Sequence, residues 1–120
     1  MKRIFADGRP AFQGDVMVRS VDRLPPKAVR MGRGPDGTVV AHSETGHHHV
    51  VVGDHEPYRV PADDGMRTFV VARGPLELRH LRGWDTHETL ELFYDGPGEV
   101  VWEMPRQREY MPDGWRRVED

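Results

Sequence analysis

Thirteen glycines and ten prolines cut this chain of 120 residues into short pieces, and no piece keeps a helical apolar period over three turns. Between the breaks, apolar residues alternate with polar ones or form short β-branched runs, the pattern of strands. The runs Asp15–Val21, Thr38–His42, His47–Val52, Arg67–Arg73, Leu76–Leu81, Thr89–Tyr94 and Glu99–Met104 are predicted strands, with weaker signals at Arg59-Val60 and Arg106–Glu109. Turn signals separate them: Leu24-Pro25-Pro26, Gly32–Gly37, Pro61–Gly65, Gly74-Pro75 and Asp95–Gly98. Strands spaced about 8–12 residues apart predict an all-β domain, a small antiparallel barrel or sandwich. The tail is the exception. Pro112 suits a first helical turn, and Trp115 and Val118 are three apart, so a short C-terminal helix is predicted. No repeat or linker divides the chain, which reads as a single β domain over residues 1–120.

Composition narrows the function. No apolar run approaches the roughly 20 residues of a membrane helix, and Met1–Gly8 lacks the apolar stretch of a leader, so no membrane partner and a cytoplasmic address are expected. The net charge of −3 argues against a generic nucleic-acid binder. The absence of cysteine excludes disulfides, thiolate metal sites and cysteine nucleophiles. The two serines, Ser20 and Ser43, sit in no nucleophile elbow. Gly32–Gly37 lacks a following Lys-Ser/Thr pair and reads as a hairpin tip rather than a phosphate loop. The 15 arginines against two lysines fit either a compositional bias or carboxylate and phosphate binding.

Seven histidines remain, three of them consecutive. Thr38–His42 and His47–Val52 predict a hairpin with Ser43-Glu44-Thr45-Gly46 as its turn. On an extended strand His47 and His49 project together, roughly 6–7 Å apart, and His48 projects away. Such a pair presents two imidazoles to one divalent metal, and zinc, iron and manganese all accept imidazole nitrogen. Strand parity places His80 on the buried face of Leu76–Leu81 with Leu76 and Leu78. His80 and His87 are the candidate third ligands. Glu88 is a fourth ligand or a catalytic base, and Asp85 a ligand or an acceptor that fixes a histidine tautomer. The same cluster can also be a hydrogen-bonded group without metal, or an acid–base pair in its own right. His42 and His55 read as surface or turn residues, and His48, projecting away from the pair, as incidental.

The C-terminal segment carries Arg106, Arg108, Tyr110 and Trp115, residue types that anchor protein partners and stack on bases. Glu109, Asp113, Glu119 and Asp120 balance that charge, and a solvated rim is the plainer reading.

Three motifs in order, Gln13-Gly14-Asp15-Val16, Thr45-Gly46-His47-His48-His49 and Arg106-Gln107-Arg108-Glu109-Tyr110, give the chain a resemblance. It resembles a group of small uncharacterised bacterial and phage proteins with Q-G-D-V, T-G-H-x-H and Q-R-E-Y in that order. The resemblance implies that His47, His49 and Gln107–Tyr110 belong to a shared pattern, and it brings no activity. The group also carries a His-Glu pair before its last motif; His80 and His87-Glu88 occupy that region, with Arg82–Thr86 lengthening the spacing. The H-x-H pair with a later His87 is also similar to the cupin metal site, an analogy of fold. Gly53 and Asp54 stand where a cupin glutamate is expected.

Two functions follow as expectations. One is a His-rich β domain holding one divalent metal through His47, His49 and His80 or His87, with a small-molecule substrate if it is an enzyme. The other is a non-enzymatic accessory module of a mobile element or phage that meets a protein or nucleic-acid partner through the Arg/Tyr/Trp tail. Exposed edge strands allow a homodimer in either case.

Overall fold

Alternation along the strands sorts the apolar side chains onto two inner faces, and these faces close against each other. The computed structural model describes residues 1–14, 16–34, 37–41, 48–63, 66–81, 86–105, 108–111 and 114–117. Along the chain the strands are β1 (Lys2–Phe5), β2 (Ala11–Gln13), β3 (Val16–Val21), β4 (Val29–Arg30), β5 (Thr38–Ala41), β6 (His48–Val52) and β7 (His55–Arg59). After a 3-10 turn at Pro61–Asp63 come β8 (Arg67–Ala72), β9 (Leu76–Leu81), β10 (Thr86–Phe93), β11 (Val100–Pro105), β12 (Arg108–Met111) and β13 (Gly114–Arg117).

One sheet runs β1-β10-β9-β6-β5 and the other β2-β3-β11-β8-β7-β4. Their inner residues form one apolar cluster, with Leu76, Leu78, Leu90 and Leu92 from the first sheet and Val16, Val18, Val70, Trp102 and Met104 from the second. The inward set expected for β9, Leu76/Leu78/His80, is buried, and on β11 Val100, Trp102 and Met104 are buried as well.

Of the two architectures expected, the sheets form the sandwich and not a closed barrel. Two expectations need correction. The pairing is not wholly antiparallel, because β1 lies parallel to β10, with Lys2 opposite Leu90 and Phe5 opposite Phe93. The segment assigned to a C-terminal helix holds β13, which pairs with β12 as a separate two-stranded ribbon. Gly114 is a poor helix residue, and Tyr110 and Trp115, strand formers both, come into register across the ribbon. Pro112 and Val118, which suggested the helix, lie outside the described residues.

Gly34 and Gly37 exchange two backbone hydrogen bonds of 3.0 and 3.2 Å, the geometry of a tight tip. The strands that flank it belong to different sheets, so this connection carries the chain from one layer to the other. On the second sheet, Glu103 is buried on β11, where its carboxylate accepts from Arg19 Nε at 3.0 Å and pairs with Arg67 at 3.7 Å.

Candidate functional site

The apolar interior is interrupted by imidazole on the first sheet. Backbone register puts His49 of β6 opposite His80 of β9, and His80 opposite His87 of β10, so three histidines from three adjacent strands form one row across the sheet. His49 and His80 are 1% and 0% exposed. Their rings stack with centroids 3.9 Å apart and planes inclined by 16°. Directly opposed strand residues face the same side of a sheet, which is why two imidazoles meet there.

Both ladders that border this row are irregular. On the β9–β10 side the register passes from His87↔His80 to Leu90↔Leu78, three residues of β10 against two of β9. On the β5–β6 side it passes from Val39↔Val50 to Ala41↔His49, two residues of β5 against one of β6. Each is a β-bulge, a device that re-aims side chains and frees backbone groups from the ladder.

Gln13, at the end of β2 in the opposite sheet, reaches across to this point. Its Nε2 donates to the carbonyls of Leu78 at 2.8 Å and of Glu88 at 3.0 Å, the second of these inside the β10 bulge. With both amide hydrogens engaged, the amide orientation is fixed and Oε1 is left toward His49 Nδ1, 3.0 Å away. An oxygen there can only accept, so His49 carries its proton on Nδ1 and, when neutral, its lone pair on Nε2. Metal-binding histidines are held in the same way, through a hydrogen bond from the nitrogen that does not meet the ion.

Of the predicted ligands, His49 and His80 come together. His87 joins their row by its backbone position, and His47, with Asp85, lies outside the described residues. Among the described residues no group of three or more histidine, aspartate or glutamate side chains is arranged to hold a metal ion. A tetrahedral ion with ligands at about 2.0–2.1 Å holds two nitrogens about 3.4 Å apart. The ring centroids are 3.9 Å apart, and ring lone pairs lie in the ring planes, so the rings must tilt out of the stack to share one ion. Glu88 is exposed, and it is its carbonyl that enters the centre. His48 is half-buried. Of the tail residues, Arg106 lies outside the described residues, while Arg108 pairs with Arg117 and Tyr110 with Trp115 in the ribbon register.

His55 is not the surface residue its sequence context suggested. It opens β7 at 4% exposure, and both ring nitrogens are engaged. Nδ1–H donates to the Gly53 carbonyl at 2.9 Å, which leaves Nε2 to accept from the Thr38 hydroxyl at 2.7 Å. Burial pushes its pKa below the ordinary histidine value, and nearby Arg33 pushes the same way against the Gly53 carbonyl and Asp54.

The profile of the domain of unknown function DUF8820 matches residues 12–107, most of the chain. The chain belongs to that family. The matched span of DUF8820 begins one residue before Gln13 and contains His49, His80 and His87, while β12 and β13 fall beyond its end. No curated protein and no solved structure matches the chain.

Sequence reasoning did not assign Gln13 a place in the site. A buried glutamine at a strand end leaves no periodicity signal, and its only mark was its place in the Q-G-D-V motif.

Proposed function

We propose that this DUF8820 protein is a metal-binding β-sandwich that holds one divalent ion at the histidine row. His49 and His80 are the ligands contributed by the buried pair, and His47 and His87 complete the set. The carrying observation is that two fully buried imidazoles stack on neighbouring strands of the inner sheet face, beside an apolar core. Polar rings in such a place cost stability unless every nitrogen is served. Departures of this kind from simple core packing concentrate at functional sites.

The chain has no thiolate to offer, so the ion is held by imidazole, with carboxylate as the only anionic protein ligand. Zinc, iron and manganese meet that condition. An ion that kept one position open would activate water or polarise an oxygen of a small-molecule substrate.

Elemental analysis of protein purified without a histidine tag tests the proposal. Near-stoichiometric zinc, iron or manganese is expected, with its loss in His49→Ala and in His80→Ala. Because the ion binds only the folded chain, zinc at about a hundred times Kd raises stability by about 2.7 kcal/mol. Protein that is metal-free as purified and takes up none of the three ions refutes the reading.

A further inference from the structure

We infer that Gln13 is the positioning residue of the histidine row, a single side chain that sets all three strands of the site at once. This deepens the metal-binding reading and rests on it for the affinity readout alone.

The geometry is specific. Gln13 accepts from the ring of His49 on β6. It donates to Leu78 O, two residues before His80 on β9, and to Glu88 O, the residue after His87 on β10. One amide thereby touches the ring of one histidine and the backbone beside the other two. Glu88 lies in the stretch between His87 and Leu90 where the ladder slips. A bulge frees backbone groups that a regular ladder would pair, and a buried carbonyl without a partner costs stability. Gln13 donates to a carbonyl inside this bulge and so holds it in the form that keeps His87 level with His80.

The reach is between layers. Gln13 belongs to β2 in the second sheet, whereas the histidines belong to the first. Gln13 is 4% exposed, so its amide works without competition from solvent. The tautomer follows from the same contacts. Two carbonyls require the NH2 end, the remaining end is oxygen, and an oxygen requires Nδ1–H. A side chain without this amide takes the acceptor away from His49 Nδ1–H and with it this contact's hold on the tautomer.

Two variants and two readouts test this. Gln13→Met keeps the length and loses every hydrogen bond. Gln13→Glu keeps the acceptor for His49 and loses both donors. The first readout is the protonated nitrogen of His49 in metal-free protein, from long-range proton–nitrogen spectra at about pH 8, above the ordinary imidazole range. The wild type is expected as Nδ1–H, Gln13→Met as a tautomer mixture and Gln13→Glu as Nδ1–H. The second is zinc affinity by competition with a chromophoric chelator, expected to fall about 10–100-fold in both variants.

A His49 that stays Nδ1–H in Gln13→Met overturns the inference, as does wild-type zinc affinity in either folded variant. Should Gln13→Met not fold, Gln13→Glu decides by its affinity. Should the wild type bind no metal, the proposed function fails while the tautomer comparison still judges Gln13 on its own.

Discussion

Replacing Gly37 with alanine is expected to cost about 2–6 kcal/mol, and the reason is steric as much as conformational. Gly37 has φ of +123°, where residues with a side chain are strained by about 1–3 kcal/mol. A Cβ there would also overlap the carbonyl oxygen of Val51 and stand 3.1 Å from its carbonyl carbon and 3.2 Å from Val50 Cγ1. Val51 is fully buried and Val50 nearly so, so neither yields without disturbing packed neighbours, an effect of about 1–3 kcal/mol. Gly8 isolates the conformational part. Its φ is +81°, a Cβ there would meet no atom within 4 Å, and Gly8→Ala should cost only about 1–2 kcal/mol. Urea unfolding followed by circular dichroism gives both values on one two-state scale. The overlap falls on the β5–β6 pairing, where Thr38 faces Val51, two residues along from His49. Gly37→Ala should therefore weaken metal uptake as well as stability, and Gly8→Ala should not. A Gly37→Ala protein no less stable than Gly8→Ala would refute the close approach of Gly37 to β6.

Two further tests concern groups outside the histidine row. His55 has its pKa lowered in the folded state, so the unfolded chain takes up the proton first as pH falls. Stability is complete above the ordinary histidine value of about 6.5 and declines below it, down to the folded pKa; His55→Gln should flatten that slope in urea midpoints measured across the range, and an unchanged slope would remove His55 as its source. Glu103→Gln should destabilise the second sheet by about 1–3 kcal/mol through the loss of charge-assisted hydrogen bonding. The cost stays moderate because the Arg19 and Arg67 side chains are 45% and 39% exposed and remain solvated; a double-mutant cycle with Arg19→Met that returns no coupling energy would contradict the pairing.

Alternation made most of the sandwich legible. Strands such as Leu76–Leu81 carry a clean inward apolar set, and there the expected and observed spans coincide. The strands that escaped are those whose pattern misleads. On β2 the exposed residue is Phe12, at 53%, and the buried one is Gln13, so the hydrophobic pattern is inverted. On β1 a single buried Ile4 stands between exposed neighbours, and β4 has two exposed residues, too little for periodicity to register. The histidine row was half legible. Parity placed His80 inward, whereas its pairing with His49 is a matter of register, which depends on which strands are neighbours. The bulges and the Gln13 bridge were beyond reach for the same reason. His55 was misread because its burial comes with contacts to Thr38 and Gly53, and Thr38 arrives from another strand.

The parallel pairing of β1 with β10 has a consequence for the order in which this protein is made. Lys2–Phe5 leaves the ribosome long before its sheet neighbour, which ends at Phe93. Through most of the synthesis of the domain β1 has nothing to pair with, and joining it to β10 closes a loop spanning most of the chain. Such closures are entropically costly and slow, so the edge of β10 is expected to be covered late. Until then that edge is open to other chains. The basic Lys2 and Arg3 at the start of β1 are suited to this interval, because like charges on neighbouring nascent copies keep those waiting strands apart.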